Sequence, residues 1–267
     1  MILTRFILLA SLFMLISCRK DAIDVNGEGL HIIIVAGQSN THYGTGFDAD
    51  FDSPHPRILQ LGRHNGNQLK IIDAVEPLDH HTKISESIGF AMTFAKYYLE
   101  TYLTETEKII IIPAGHAGTG FSDNDWNKGD PLFDDLVDRY KHVKELRPGS
   151  HLAAILWHQG ESDVKNLNYQ ESLDTFIYDL REELNATNAP LIMGGMNPYW
   201  VDQSPERIKL QSILKDTPNR IHRVGYADPS LPIIINKDSN QVNSIHYNAA
   251  GLRELGARYF LSYIELH

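Results

Sequence analysis

The segment Ile32-Ile-Ile-Val-Ala-Gly-Gln-Ser-Asn40 constrains the fold more than any other part of the chain. A short, mostly β-branched apolar run ends abruptly in small and polar residues. The run is too short to span a membrane. Its unbroken apolar character means that both faces are covered, as in a parallel sheet flanked by helices. Comparable runs recur at Ile109 to Ile112, Ala153 to Trp157, Leu191 to Met193 and Val224 to Tyr226. Helical patterns separate them. Between Ser85 and Leu103 the apolar residues Ile88, Ala91, Met92, Ala95 and Leu99 share one helix face, and Ser85 or Ser87 is placed to cap it. Further helices are predicted over 132–146, stopped by Pro148-Gly149, and over 169–184, 205–214 and 248–264. Strands alternating with helices require crossover connections. The predicted fold class is therefore α/β: a three-layer α/β/α sandwich around a five-stranded, mainly parallel sheet in a flavodoxin-like order. Ligands of such sheets bind at the carboxyl ends of the strands, which is where Ser39 falls.

One segment departs from the alternation. Arg57 to Leu61 and Gln68 to Ile72 flank Gly62-Arg-His-Asn-Gly-Asn67, and Asn65-Gly66 is a strong turn signal. This predicts a β-hairpin inserted after the first strand, where insertions commonly shape pockets.

Two further clusters repeat the design of the first. Ala153-Ala-Ile-Leu-Trp-His-Gln-Gly-Glu-Ser-Asp163 is an apolar run ending in a dense polar group, and Asn243-Ser-Ile-His246 precedes the helical Tyr247-Asn-Ala-Ala-Gly251. Together these segments resemble the SGNH-type serine hydrolases, in the branch of acetylxylan esterases and sialate O-acetylesterases. That branch carries Gly-Gln-Ser-Asn, a Gly-Gly-Thr-like loop, a His-Gln-Gly-Glu block and a terminal Asp-x-x-His, in this order. The matching residues here are Gly37 to Asn40, Ala117-Gly-Thr119, His158-Gln-Gly-Glu161 and Asn243-Ser-Ile-His246. The resemblance runs from about Ile32 to Tyr259. It implies the SGNH hydrolase fold, Ser39 as nucleophile and His246 as its base. It also implies an oxyanion site made by the backbone N–H of Ser39, the N–H of Gly118 and the side-chain amide of Gln159. Gln38 and Asn40 belong to the same binding loop and order it. Chemistry of this kind calls for no cofactor.

Two positions depart from the pattern. Ala117 replaces a glycine, a mild change, because Gly118 still offers the backbone donor. Asn243 stands where an aspartate is usual. A histidine that takes a serine proton becomes an imidazolium, and a carboxylate on its other nitrogen stabilises that charge. Replacing such an aspartate by asparagine in a serine protease costs about 10⁴ in rate. Three readings follow. Glu161 supplies the carboxylate; or a Ser39–His246 dyad works slowly with Asn243 or a backbone carbonyl; or the protein binds glycans on a scaffold that no longer hydrolyses them. The first is preferred, since Glu161 falls at the same end of the sheet; the retained Ser39, Gln159 and His246 argue against the third.

The motifs Gly-x-Ser-x-Gly, Gly-x-x-x-x-Gly-Lys and Gly-x-Gly-x-x-Gly are absent, which disfavours lipase-like, nucleotide-driven and dinucleotide-dependent chemistry. His80-His81 has no companion ligands at metal-binding spacing, so no metal is expected. Trp157 is assigned to the core; Trp126 is either core or a wall against a sugar ring.

The amino terminus is read as a targeting signal. Arg5 precedes an apolar stretch, and Leu15-Ile-Ser-Cys18 resembles the bacterial lipoprotein box. Residues 1–17 are thus expected to be a signal peptide, Cys18 a lipidated first residue, 18–30 a tether and 31–267 a single domain. Arg19 after the cysteine fits sorting to the outer membrane, and Cys18 is the sole cysteine, so no intramolecular disulfide forms. The formal net charge of −10 disfavours nucleic acid and anionic membrane surfaces as partners. The sequence thus points to an enzyme removing O-acetyl groups from a carbohydrate, or to a surface-anchored glycan binder.

Overall fold

The computed structural model describes residues 29–235 and 245–267. The expected signal peptide, Cys18, most of the tether and Asn243 lie outside the described residues. In chain order the elements are β1 (His31–Gly37), β2 (Gly44–Thr45), α1 (Ala49–Asp52), β3 (Ile58–Leu61), β4 (Ile71–Asp73), β5 (Ser87–Ile88), α2 (Ala91–Tyr102), β6 (Ile109–Pro113) and α3 (Pro131–Leu146). They continue with β7 (His151–His158), α4 (Tyr169–Glu183), β8 (Leu191–Gly194), α5 (Pro198–Val201), α6 (Pro205–Arg220), β9 (Val224–Ala227) and α7 (Ala249–Ile264).

β1 shows how the sequence makes the layers. Side chains alternate across a strand. Ile32, Ile34 and Ala36 therefore enter one core with Leu136 of α3, Phe176 of α4 and Leu210 of α6. Ile33 and Val35 enter a second core with Phe94 of α2 and Leu252, Leu255 and Tyr259 of α7. With both faces buried, the strand needs apolar residues throughout.

The five predicted strands are β1, β6, β7, β8 and β9, but the main sheet has seven strands in the order β4-β3-β6-β1-β7-β8-β9. The two extra strands are the expected hairpin. β3 pairs in parallel with β6, Ile58 opposite Ile109 and Gln60 opposite Ile111, so the hairpin extends the sheet instead of standing apart from it. β4 closes that edge antiparallel to β3. The turn bends where Asn65 and Gly66 both have positive φ, 55° and 75°.

α2 begins at Ala91, later than the helical pattern predicts. Glu86 has φ 59°, and a Cβ on Gly89 would lie 2.2 Å from the Thr41 carbonyl oxygen, so the chain before α2 is pinned outside the helix. Ser87 and Ile88 pair with Thr45 and Gly44 instead. α6 runs on to Arg220, whose guanidinium holds Asp174 of α4 at 2.9 Å. The chain enters the domain with Gly29 against Gly149 and the Leu30 N–H on the Ser150 hydroxyl at 2.9 Å, at the amino end of β1. No helix among the described residues is long and apolar enough to cross a membrane.

Candidate active site

β1 and β7 run together to their carboxyl ends and define the site. Gly37 has φ 119°, and a Cβ there would sit 2.1 Å from the His158 carbonyl oxygen; only glycine fits. The Gln38 N–H then donates to that same oxygen at 2.8 Å. The chain turns at once into a single 3₁₀ turn, Ser39–Thr41. This sharp exit from the strand sets Ser39 at the rim of the sheet. The other half of the site arrives just before α7, which Asn248 caps by accepting from the Gly251 N–H at 2.8 Å.

His246 Nε2 lies 2.8 Å from Ser39 Oγ, although 207 positions separate the two residues. The ring of Tyr43 meets the His246 imidazole edge-on at 5.3 Å. For His246 to accept the serine proton at Nε2, its own proton must sit on Nδ1. Asn243, the acceptor for that nitrogen in the dyad reading, lies outside the described residues.

Glu161 is placed differently from expectation. Its fully buried carboxylate accepts from Asn40 Nδ2 at 2.6 Å and lies 3.3 Å from His158 Nε2; none of its ion pairs among the described residues is with His246. The reason is local. Glu161 opens a one-turn 3₁₀ helix directly behind β7, and from there it reaches the back of the Ser39–Asn40 turn. Burial pushes this carboxyl up, but His158 and Asn40 outweigh burial and hold it below its ordinary value, so it is ionised at neutral pH.

The oxyanion donors also sort out. Residues 114–118 run beside the end of β1, with the Ala114 N–H on Val35 O at 2.8 Å and the His116 N–H on Gly37 O at 2.9 Å. Gly118 follows with φ 74° and open space where a side chain would project. Among the described residues no acceptor takes the backbone N–H of Ser39 or of Gly118. Gln159 differs. Its amide nitrogen donates to Asp163 Oδ2 at 2.7 Å and to Thr119 O at 3.4 Å, and its oxygen accepts from Tyr169 Oη at 3.0 Å. The side chain is fully buried and its capacity is used inside the protein, so it braces the loop instead of presenting a free donor. Gln38 likewise orders the site, accepting from the Ser162 N–H at 3.1 Å.

Asp163 was not singled out by the sequence. It accepts from the N–H of Phe121 at 2.7 Å and of Ser122 at 3.0 Å, as well as from Gln159, and so ties the loop bearing Gly118 to the end of β7. Its position within the His158–Asp163 polar cluster is the signal that could have found it. Trp126 is fully buried and donates to the Thr119 hydroxyl at 2.9 Å, which makes it a support of the same loop and not a sugar wall. Trp157 is fully buried in the core.

The histidine pair beside the site is uncharged. His42 and His80 stack at 4.5 Å. Burial, with His116, His246 and His81 nearby, pushes His42 down to about 3. Burial first, then His42 and Arg63, also hold His80 well below its ordinary value.

Known proteins resemble this chain in sequence and in fold. The family described as carbohydrate esterase, sialic acid-specific acetylesterase, matches residues 29–265. A probable carbohydrate esterase of Arabidopsis thaliana is 29% identical over 60% of this chain and 66% of its own length, just under two thirds. A probable 9-O-acetyl-N-acetylneuraminic acid deacetylase of Escherichia coli K12 is 26% identical over 68% of this chain and 71% of its own. Among solved structures, NanS superposes with a TM-score of 0.77 at 19% identity, covering 89% of this chain and 97% of that one, a likeness of fold. With the match running across nearly the whole described domain, this chain belongs to the sialic acid-specific acetylesterase family of carbohydrate esterases, which are carboxylic ester hydrolases.

Proposed function

We propose that the chain removes O-acetyl groups from a glycan through an acetyl-enzyme intermediate. The observation that carries this reading is the 2.8 Å contact between Ser39 Oγ and His246 Nε2 at the carboxyl end of the sheet. His246 takes the hydroxyl proton as Ser39 Oγ bonds to the acetyl carbon. The carbonyl oxygen gains negative charge beside the N–H groups of Ser39 and Gly118. Collapse breaks the bond to the sugar oxygen, which leaves with the proton held by His246. Water, deprotonated by the same imidazole, then releases acetate and restores Ser39. The name of the E. coli relative makes 9-O-acetylated sialic acid the first substrate to try, ahead of acetylated xylan.

Hydrolysis of 4-nitrophenyl acetate, followed by acetate release from an acetylated sugar panel, tests the reading. Ser39→Ala is expected to abolish turnover while leaving the circular dichroism spectrum unchanged. A parent protein that binds sugars but turns over no acetate ester would instead make this a glycan binder.

We also propose anchoring through a lipidated Cys18 to the bacterial outer membrane. The described chain enters at the amino end of β1, the end of the sheet opposite Ser39, so a tether there would leave the site facing away from the bilayer. Unchanged palmitate labelling in Cys18→Ser would exclude it.

A further inference from the structure

Asn40 is fully buried, directly follows the nucleophile, and uses three hydrogen bonds. Its Nδ2 donates to Glu161 Oε1 at 2.6 Å and to the Ile245 carbonyl at 3.1 Å, and its Oδ1 accepts from the Tyr247 N–H at 3.1 Å. Ile245 and Tyr247 are the residues on either side of His246. We propose that Asn40 is a positioning residue for the hydrolysis: its amide grips the peptide groups flanking His246 and so fixes the imidazole against Ser39, while Glu161 sets which way that amide faces. The inference rests on the Ser39–His246 reading above and deepens it.

The chemistry of each partner makes the grip one-way. A carboxamide can turn over, exchanging its oxygen and nitrogen. An ionised carboxylate only accepts. Turned over, the Asn40 oxygen would face the Glu161 oxygen and the Ile245 carbonyl and its NH₂ would face the Tyr247 N–H, three repulsive contacts in place of three bonds. Glu161 also has His158 Nε2 at 3.3 Å, close by but without a hydrogen bond between them. His158 is in turn approached by the Tyr259 hydroxyl at 3.3 Å, which donates to Trp157 O at 2.7 Å. Buried polar contacts thus run from Glu161, just past the carboxyl end of β7, through Asn40 to both flanks of the catalytic imidazole. Each reacting residue lies next to a gripped one: Ser39 precedes Asn40, and His246 sits between Ile245 and Tyr247. Misplacing reacting atoms by about 1 Å costs on the order of 10²-fold in rate, so a device that sets this separation acts on kcat.

Three variants assayed on 4-nitrophenyl acetate test the inference, with Ser39→Ala as control. Asn40→Ala is expected to lower kcat about tenfold to a hundredfold and to move KM less than about threefold. Asn40→Asp keeps the acceptor for Tyr247 but sets a second carboxylate against Glu161; two carboxylates so close share one proton. The other titratable groups facing that pair are His158, Tyr169, Tyr247 and Tyr259. The variant should work on the acid side and lose kcat as pH rises, where the parent stays level. Asn40→Asp combined with Glu161→Gln gives the new carboxylate a donor, and the alkaline loss should disappear. Should Asn40→Ala fail to fold, the comparison of Asn40→Asp with and without Glu161→Gln decides alone. A kcat for Asn40→Ala within about threefold of the parent, or identical pH profiles for the two Asp-bearing proteins, overturns the inference. If Ser39→Ala is inactive while Asn40→Asp keeps the parental profile, the inference falls and the hydrolase reading stands. A parent inert towards all acetate esters removes both.

Discussion

Replacing Glu161 by glutamine separates two roles for a buried carboxylate. A carboxylate that stabilises the imidazolium directly is worth about 10⁴ in rate, as the Asp-to-Asn change in a serine protease shows. Glu161 is instead bonded to Asn40 at 2.6 Å, one residue removed from the reacting atoms. A hydrogen bond to a charged acceptor contributes about 1.5–3 kcal/mol and a neutral one about 0.5–1.5 kcal/mol. The exchange therefore weakens the Asn40 anchor by about 1–1.5 kcal/mol, since a glutamine oxygen still accepts. Felt entirely in the transition state, this lowers kcat about tenfold. The variant also removes a buried charge, so its stability at neutral pH should change little. Steady-state kinetics on 4-nitrophenyl acetate, with urea unfolding alongside, measure both effects. The expected result is a loss in kcat of about fivefold to twentyfold with KM nearly constant. A loss of about 10³-fold or more in a protein of parental stability would put the carboxylate on the imidazolium itself and refute this account of its role.

The remaining predictions concern the frame around the site. Asp163→Ala strands the buried Phe121 N–H and the buried Gln159 amide at about 1–3 kcal/mol each; unfolding free energy should drop by about 3–5 kcal/mol, and kcat should fall as the Gly118 loop loosens. A urea midpoint equal to the parent's would contradict this. Burial pushes the Glu76 carboxyl up to about 7, against the N–H groups of Gly89 and Leu78 that bond it. Between its ordinary value and about 7 the folded protein binds more protons at Glu76 than the unfolded chain does, so this group's contribution to stability falls as pH rises through that window and is level above it. Thermal unfolding of Glu76→Gln should lack this component of the slope; a curve parallel to the parent's across the window would disprove it.

The central strands and their order of appearance were legible because a doubly covered strand must be apolar throughout, and Ile32 to Ala36 is the plainest case. The start of α2 was not legible. Apolar spacing from Ile88 onwards suits a helix, but the close approach of Gly89 to Thr41 imposes another path, and that approach is a contact between distant segments. The hairpin was recognised from Asn65-Gly66, yet its place in the main sheet depends on β6, about fifty residues further along the chain. Ser39 was placed by the break at the end of its strand, whereas His246 and Gly118 were named through the resemblance of their motifs to a known family; the fold brings Ser39 and His246 within 2.8 Å. Side-chain partners carry no such mark. Gln159 and Glu161 look like free functional groups in sequence, and the fold turns them inward, to Asp163 and to Asn40.

By itself, then, the order of residues determined the layered α/β architecture, the glycine-governed turn that delivers a serine, and the chemical class of the groups available, because backbone conformation and strand burial follow from neighbours a few positions away. Only the tertiary structure decided which polar groups pair. Hydrogen bonds act over about 3 Å and depend on direction, so whether a buried carboxylate serves an imidazole or an amide is settled by where two loops 121 positions apart are brought together.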